Sequence, residues 1–392
     1  MKVKRNELLV SLAAGLAMGA CASAAQAEDL TVGIVVTLSG PPAALGQQIV
    51  DGFNLALEQK QGMLGGSKVN LVIQDDELKP EVARQKAEEL VQRDKADIVV
   101  GTVFSNMLQA IFKPVVGSDT FLISPNAGPS TFAGENCSPY FFATSYQNDQ
   151  NAEVSGMIAN EEGFKNTFLM VPNYQAGRDN VAGFKKTFTG TVTDEVFTPL
   201  GHKDFSPELA QLATSGSDAL FTFMPGGMGV ALVKQFAAAG QKDKIKFLSV
   251  FTTDETTLPA LKDDAIGFLA AGNWAPDFKN EASEAFVTAF NEKYGYVPGG
   301  YAMQGYDTAM LIDSAVAKVG GDMSDKDAVR KALEAADFTS LRGDFKFNNN
   351  HYPVQSFYLL EIAKNDKDQY HTSIVREVVK DYADSFHQEC KM

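Results

Sequence analysis

The sequence has little cysteine, no cluster of positive charge and no long apolar run beyond its first segment. It contains 3 cysteines and 4 histidines among 392 residues, and its formal net charge is −15. An acidic chain without a basic cluster argues against binding to nucleic acid or to an anionic membrane surface. After the N-terminal segment, no apolar stretch approaches the roughly 20 residues of a membrane-spanning helix. We therefore expect a soluble protein of two ordinary-sized domains.

Sequence signatures of catalysis are missing as well. The chain has no Gly-x-Ser-x-Gly motif, no phosphate-binding loop that ends in Gly-Lys-Ser/Thr and no His-Glu-x-x-His motif. The histidines are scattered, and the cysteines do not have the spacing of a metal site. The glycine-rich segment 226–229 lacks the G-x-G-x-x-G spacing of a dinucleotide site. These absences predict a protein that is not an enzyme and that uses no metal and no cofactor.

The N-terminal segment has the pattern of a secretory signal peptide. A basic start precedes an apolar run over residues 8–20, and Ala25-Gln26-Ala27 supplies the small residues of a cleavage site. We predict that residues 1–27 are removed and that the mature protein begins at Glu28 in the periplasm. The alternative is a lipid-modified Cys21, although Met18-Gly19-Ala20 is a poor lipobox.

Two cysteines remain after this cleavage, Cys137 and Cys390. In an oxidising compartment two cysteines allow a single intramolecular pairing. We predict a disulfide bond that ties the last residues to the middle of the chain. The alternative is two free thiols.

Strand and helix patterns alternate along the chain. In the segment 43–60, for example, Leu45, Ile49 and Phe53 recur at helical spacing. The alternation predicts parallel sheets covered on both faces, in two α/β units. The predicted strands are 30–38, 69–74, 98–104, 120–124, 167–171, 196–198, 219–224, 247–251 and 354–362. The predicted helices are 43–60, 80–93, 106–116, 179–187, 208–215, 230–239, 283–294 and 306–319, followed after residue 362 by a charged tail.

Polar residues and glycines follow three predicted strands of the first unit, at 39–41, 104–106 and 124–128. In a parallel sheet, ligands bind beyond the carboxyl ends of the strands. Hydroxyl groups and the free N–H groups of helix N-termini bind anions without a basic side chain. The pattern therefore predicts a carboxylate ligand. Alternatively, Ser105 and Asn126 only cap helices.

Six stretches, in their order and spacing, resemble one family, the type I periplasmic binding proteins of the leucine/isoleucine/valine-binding group. They are VGIVVTLSGPPAALG (32–46), NLVIQDDELKP (70–80), ADIVVGTVFS (96–105), SPNAGP (124–129), GHKDFSP (201–207) and YAMQGY (301–306). The resemblance implies an α/β fold of two doubly wound lobes joined by a three-segment hinge. Lobe 1 would comprise residues 28–143 and 275–350, and lobe 2 residues 144–274 and 351–392 with the C-terminal tail. The function implied is that of a monomeric receptor that delivers its ligand to the permease and ATPase subunits of an ABC importer.

Three positions differ from the amino-acid binders of this family. Phe251 stands where they place an acid for the ligand's ammonium group, Leu45 where they have an aromatic residue, and Ala176 where they have tyrosine. The segments 136–142, 173–179 and 348–353 and the terminal Cys-Lys-Met instead resemble the branch that takes up aromatic acids.

We therefore expect a small aromatic carboxylate of the benzoate or hydroxycinnamate type as the ligand. The alternative is a branched-chain or other amino acid, for which Asp254 or Glu255 would replace the missing acid. A ligand-sensing domain or an enzyme on the same fold is a more distant alternative.

The resemblance also implies which residues bind the ligand. Ser105 would hold the carboxylate together with the loop that contains Asn126 and Gly128. Leu45, Phe251 and Tyr301 would enclose the ring. The other candidates are Phe104, Asn173, Tyr174, Ala176, Arg178, Met224 and Gln304, of which Arg178 could instead meet the carboxylate.

Overall fold

A computed structural model describes residues 29–392. The predicted signal peptide, its cleavage site and the alternative at Cys21 lie outside the described residues. Within residues 29–392, no helix is long and apolar enough to cross a membrane.

The first sheet has six strands in the order β2-β3-β1-β4-β5-β6. All neighbours are parallel except the β2–β3 hairpin. Strands β4 and β5 are buried along their whole length, as expected for parallel strands covered on both faces. The strands are β1 (Leu30–Val36), β2 (Met63–Leu64), β3 (Ser67–Asp75), β4 (Ile98–Gly101), β5 (Phe121–Ser124) and β6 (Phe141–Ala143).

Six helices accompany the first sheet: α1 (Ala43–Gln59), α2 (Pro80–Gln92), α3 (Ser105–Val116), α9 (Glu281–Tyr294), α10 (Gly300–Lys318) and α11 (Lys326–Glu334). Helices α1 and α10 pack closely against each other. A Cβ atom at Gly52 would lie only 1.9 Å from the carbonyl oxygen of Ala302, so this approach requires glycine. The pair places the start of α10 beside the start of α1.

The second sheet has the order β12-β13-β11-β10-β9-β7-β8, with β14 paired to β13. Strands β7 to β11 are parallel, and the β12–β13, β11–β13 and β13–β14 pairs are antiparallel. The strands are β7 (Asn166–Pro172), β8 (Thr191–Thr198), β9 (Ala219–Thr222), β10 (Lys246–Ser249), β11 (Leu269–Gly272), β12 (Lys346–Phe347), β13 (Pro353–Lys364) and β14 (Tyr370–Tyr382). Its helices are α4 (Asn148–Glu161), α5 (Gln175–Thr187), α6 (Ser206–Thr214), α7 (Gly227–Ala238) and α8 (Leu258–Leu261). The two doubly wound α/β units predicted from the sequence are confirmed.

The chain passes between the two sheets three times. The first passage follows β6, the second follows β11, and the third lies between α11 and β12, because β12 already pairs with β13 of the second sheet. The predicted crossings near Thr144 and Trp274 lie in the first two connecting segments, whereas the one near Asn350 lies in the turn between β12 and β13, after the third passage. The lobe boundaries drawn from them stay a prediction.

Three predicted features are wrong. The segment after residue 362 is not a charged tail, because it forms the 13-residue strand β14. Helix α10 begins at Gly300 and not at residue 306, so that Tyr301 and Gln304 are helical. The predicted strand 98–104 ends at Gly101, and Phe104 is the N-cap of α3.

Several elements were not predicted, among them α4, α8, α11, β2, β11 and β12. Helix α4 is buried on nearly every side although its sequence is mostly polar, so it has no amphipathic period to recognise. The disulfide between Cys137 and Cys390 is confirmed, with a Cα–Cα distance of 5.7 Å.

Candidate ligand-binding cavity between the two sheets

A small cavity lies where strand ends of the two sheets face each other. It contains about 270 Å³ of space between atoms, of which about 20 Å³ can hold the centre of a water molecule. Its walls come from the segments that follow β4, β5, β6, β7 and β9 and from helices α1 and α10. The lining residues are Leu45, Val103, Phe104, Ser105, Asn126, Ala127, Tyr146, Asn148, Tyr174, Ala176, Phe223, Pro225 and Tyr301.

Five helices begin at this cavity without a side-chain cap: α1, α3, α5, α7 and α10. By contrast, α9 and α11 are capped by Asn280 and Asp325. The two other long uncapped helices, α2 and α6, have a proline in the first turn. Uncapped helix N-termini present free N–H groups and partial positive charge. The cavity is therefore suited to an anion.

Ser105 is the first residue of α3 and is buried at the cavity wall. Its hydroxyl oxygen accepts a hydrogen bond from the Asn148 Nδ2 atom, at 3.1 Å. The Ser105 hydroxyl hydrogen is left to donate elsewhere, because a hydroxyl group both donates and accepts. This serine combines a hydroxyl donor with the uncapped start of a helix.

Three buried tyrosines supply further hydroxyl groups. The Tyr146 hydroxyl donates to the Asn126 Oδ1 atom at 2.8 Å. The hydroxyls of Tyr174 and Tyr301 make no hydrogen bond with another described residue. Burial raises the pKa of all three phenols well above the usual value, so they stay protonated and can donate.

Aromatic rings form much of the wall. The Tyr174 ring lies between those of Phe104 and Phe223, with centroid distances of 6.1 and 6.2 Å. These distances are in the range in which ring pairs attract each other beyond the burial of their area. A planar apolar group in the cavity would be surrounded by ring faces and edges.

None of the described lining residues carries a charge. Three buried acids lie just outside this lining: Asp179, whose Oδ2 atom accepts from the lining residue Asn148 at 2.9 Å, and Asp254 and Glu255, which line a separate neighbouring cavity. The Asp254 Oδ1 atom accepts bonds from the backbone and hydroxyl of Thr256, and burial raises its pKa. The Glu255 Oε1 atom accepts two bonds from Thr372. The Asp254 and Glu255 carboxyl groups thus lie outside the main cavity, where the Asp254 Oδ2 atom is buried without a hydrogen-bond partner among the described residues.

The structure brings together only some of the residues that the sequence analysis proposed for ligand binding. Those that line the cavity are Leu45, Phe104, Ser105, Asn126, Tyr174, Ala176 and Tyr301. Phe251 lies behind this wall, where its ring packs on Tyr146 at 5.3 Å and on Tyr301 at 5.5 Å.

The other proposed residues lie away from the cavity wall. The Gly128 N–H group donates to the Asn148 Oδ1 atom and is not free for a ligand. Met224 belongs to the core of the second sheet. Gln304 is fully buried on α10, and neither polar atom of its amide has a partner within the described range. Asn173 and Arg178 are exposed and bond to each other.

Several lining residues were missed: Val103, Ala127, Tyr146, Asn148, Phe223 and Pro225. Tyr146 and Asn148 follow β6, and Phe223 and Pro225 follow β9. The rule that ligands bind at the carboxyl ends of parallel strands points to these positions too. Applying the rule to strands of both units would have found them.

Comparison with known proteins gives consistent matches. The family model described as "Periplasmic binding protein" matches residues 29–368. A curated relative, the Leu/Ile/Val-binding protein homolog 6 of Brucella melitensis, is 26% identical over 382 residues, which cover 95% of this chain and 97% of the relative.

Two solved structures of R. palustris solute-binding proteins of ABC transporters are similar to this chain over most of its length. The first, in complex with benzoate, is 32% identical with a TM-score of 0.88, and the match covers 93% of this chain and 100% of that one. The second, in complex with 4-hydroxybenzoate, is 27% identical with a TM-score of 0.84, and the match covers 90% and 98%.

Proposed function

Because the chain belongs to the periplasmic binding protein family and is a solute-binding protein of an ABC transporter, we propose that it captures a small aromatic carboxylate. In this proposal the ligand lies in the cavity between lobe 1 (residues 28–143 and 275–350) and lobe 2 (residues 144–274 and 351–392). The lobes close on it, and the monomeric protein, secreted by a cleaved signal peptide, delivers it to the permease and its ATPase subunits.

The carboxylate would bind at the start of α3. Ser105 offers its hydroxyl hydrogen, and the first N–H groups of the uncapped helix offer further donors. Hydrogen bonds to an ionised acceptor are about twice as strong as neutral ones. The free hydroxyls of Tyr174 and Tyr301 would reach a second carboxylate oxygen or a ring hydroxyl.

The ring would be enclosed by the apolar and aromatic wall. Leu45, Phe104 and Phe223 line the cavity without a charged neighbour. Packing between rings adds about 0.5–1.5 kcal/mol beyond the burial of apolar area. Benzoate fits this pattern, because it joins one carboxylate to one planar ring.

The uncharged lining is the observation that carries the proposal. An α-ammonium group enclosed there would lose its water without gaining a counter-ion, at a cost of several kcal/mol. The acids that could neutralise it are not part of the lining: Asp179 accepts from Asn148 and Ser130, and Asp254 lies in the neighbouring cavity, where one of its oxygens accepts from Thr256. The solved structures that contain benzoate and 4-hydroxybenzoate support the same ligand class.

Amino-acid binding is the second candidate function, because the curated relatives are named Leu/Ile/Val-binding protein homologues. Isothermal titration calorimetry separates the two candidates. We expect binding of benzoate and hydroxybenzoates, with leucine, isoleucine and valine at least about 100-fold weaker, which corresponds to a loss of about 2.7 kcal/mol. Benzamide, which keeps the ring but not the charge, is the matched ligand control and should bind weakly.

The variant Ser105→Ala tests the carboxylate position. We expect benzoate to bind about tenfold more weakly, since a hydrogen bond to a charged group contributes about 1.5–3 kcal/mol. Ser118→Ala, just beyond the other end of α3, is the matched control and should bind as the wild type does. Tight binding of leucine with none of benzoate would refute the proposed ligand class.

A further inference from the structure

Asn148 occupies a junction that the sequence analysis did not identify. It is the first residue of α4, directly after the first passage between the sheets. Its Oδ1 atom accepts from the Gly128 N–H group at 3.1 Å, and its Nδ2 atom donates to Ser105 Oγ at 3.1 Å and to Asp179 Oδ2 at 2.9 Å. One buried amide group thus contacts the cavity serine, the loop after β5 and helix α5.

These partners allow only one orientation of the Asn148 amide. A carboxylate such as that of Asp179 only accepts hydrogen bonds, and the Gly128 N–H group only donates. The Nδ2 atom must therefore face Asp179 and Ser105. Because this atom donates to the Ser105 oxygen, the Ser105 hydroxyl hydrogen points away from Asn148 and is available to the cavity.

The backbone at Gly128 lies close to Asn148 and fixes the position of its amide group. The Asn148 N–H group donates to the Gly128 carbonyl oxygen at 2.7 Å, so the two residues are joined by two hydrogen bonds. A Cβ atom at Gly128 would lie 2.0 Å from the Tyr146 carbonyl oxygen. Only glycine permits this approach, which gives Gly128 a role in placing Asn148.

Asp179 links the two halves of the molecule. It lies on α5, which accompanies the second sheet, and it accepts bonds from the Ser130 hydroxyl at 2.8 Å and the Ser130 N–H group at 3.2 Å. Ser130 follows β5 of the first sheet. Gln175 donates to the same carboxylate at 2.7 Å. Asp179 is 5% exposed, so water competes little for these bonds.

We propose that Asn148 is a positioning residue that couples closure of the lobes to recognition of the ligand's carboxylate. When the lobes close, the Asp179 carboxylate accepts hydrogen bonds from Ser130. Asp179 then fixes the orientation of the Asn148 amide, and this amide directs the Ser105 hydroxyl hydrogen into the cavity. The inference rests on the proposed carboxylate site at Ser105. It adds a reason for the ligand to bind the closed form more tightly than the open form.

The variants Asn148→Ala and Asp179→Asn test the coupling. We expect each to bind benzoate about tenfold more weakly, mainly through a faster dissociation rate, because the closed form loses its support. Asn160→Asp is the matched control. It lies twelve residues along α4, about 18 Å away, and loses a hydrogen bond to the Thr187 carbonyl oxygen without touching the cavity.

The double variant Asn148→Asp/Asp179→Asn separates positioning from a merely structural role. It restores a donor and an acceptor between positions 148 and 179, so it should be more stable to urea than Asn148→Asp alone. The new carboxylate at position 148 would accept the Ser105 hydroxyl hydrogen instead of donating to its oxygen. Benzoate binding should therefore stay about tenfold weaker or worse, and wild-type affinity in this variant would overturn the proposal.

A measurement without ligand tests the coupling through Asn148 and Asp179 independently of the proposed ligand class. Hydrogen–deuterium exchange of the peptide that contains the Ser130 amide should be faster in Asp179→Ala than in the wild type, because this variant removes the acceptor of the amide. Unchanged exchange would overturn the coupling whichever ligand is bound. If the wild type binds leucine and not benzoate, the proposed ligand class fails, and the same variants are then titrated with leucine, which carries the same carboxylate.

Discussion

At the scale of single residues, the chemistry of the cavity depends on groups that are polar but uncharged. Ser105 and Tyr174 offer hydroxyl groups, and the lining contains no lysine or arginine within residues 29–392. A carboxylate in such a site is held by oriented donors and helix N-termini. An ammonium group would need the opposite, a set of acceptors and a carboxylate.

The buried acid Glu255, near the cavity, makes the free energy of unfolding depend on pH. Burial raises the pKa of Glu255 from its ordinary value of 4.5 to about 7, against the opposing effect of its bonds to Thr372, and the nearby Asp254 raises it further. At a pH between these two pKa values, Glu255 is protonated in the folded state and ionised in the unfolded state. The contribution to stability is therefore complete below about pH 4.5 and is lost as the pH rises through about 7, a change of roughly 3 kcal/mol.

We expect Glu255→Gln to flatten the fall in the free energy of unfolding between pH 5 and pH 8. Asp149, whose pKa is also raised to about 7 by burial and by Asp179, keeps part of the slope in the variant. Urea unfolding at several pH values measures the effect, with the exposed Glu361→Gln as the control. A slope equal to that of the wild type would contradict the prediction.

At the scale of elements, the three passages between the sheets are tied together by one buried network. Arg342 donates to the carbonyl oxygens of Thr144 and Ser145, at 2.6 and 3.1 Å, in the first passage. Arg342 itself lies in the third passage, between α11 and β12, and also donates to Gln355 Oε1 at 2.7 Å. Asn273, in the second passage, donates to the same Ser145 and Gln355 oxygens. The network holds the connecting segments in a fixed relation, which suits a hinge whose bending is confined to them.

The Arg342 network predicts a large loss of stability when the cation is removed. Arg342 pairs with Asp307 at 3.1 Å, and their side chains are 3% and 0% exposed. Arg342→Met leaves the Asp307 carboxylate buried without its partner, and we expect a loss of about 3–5 kcal/mol in the free energy of unfolding. Urea unfolding measures it.

Arg330→Met is the control for the removal of an arginine, because Arg330 pairs with the exposed Asp327 and Glu334. We expect a loss of no more than about 1 kcal/mol for this variant. Equal losses of the free energy of unfolding in the two variants would show that the buried Arg342 network stabilises the fold no more than a surface ion pair does.

At the scale of the whole molecule, the cavity has walls from both sheets and is therefore complete only when they face each other. Leu45 and Ser105 accompany the first sheet, whereas Ala176 and Phe223 accompany the second. A ligand that contacts both walls stabilises the closed arrangement and shifts the population toward it. In the proposed function, closure of this kind is the change that the permease recognises.

Small-angle X-ray scattering tests closure directly. We expect benzoate at saturation to decrease the radius of gyration of the wild type and to have a smaller effect on Asp179→Asn, whose link between the lobes is weakened. Benzamide at the same concentration is the control for effects of the solution. An unchanged radius in the wild type, under conditions in which calorimetry detects binding, would contradict closure.

Much of the architecture could be read from the sequence, because regular elements leave local patterns. The continuous apolar runs of β1, β4 and β5 and the helical period of α1 predicted doubly wound sheets. The presence of two cysteines after residue 27 predicted the disulfide bond between Cys137 and Cys390. The polar residues after β4 and β5 located one wall of the cavity at Ser105 and Asn126.

Only the tertiary structure decided which polar groups meet. Asn148 contacts Ser105, 43 positions away, and Asp179, 31 positions away, and no local pattern encodes such distances. Helix α4 is polar and yet buried because its partners come from distant elements, including α5 and β14. Hydrophobic periodicity in a sequence indicates which side chains face the core and which face solvent. It gives no signal where polar side chains are buried against one another. Local propensity therefore determines the elements, whereas the cavity and its hydrogen bonds arise from the packing of one sheet against the other.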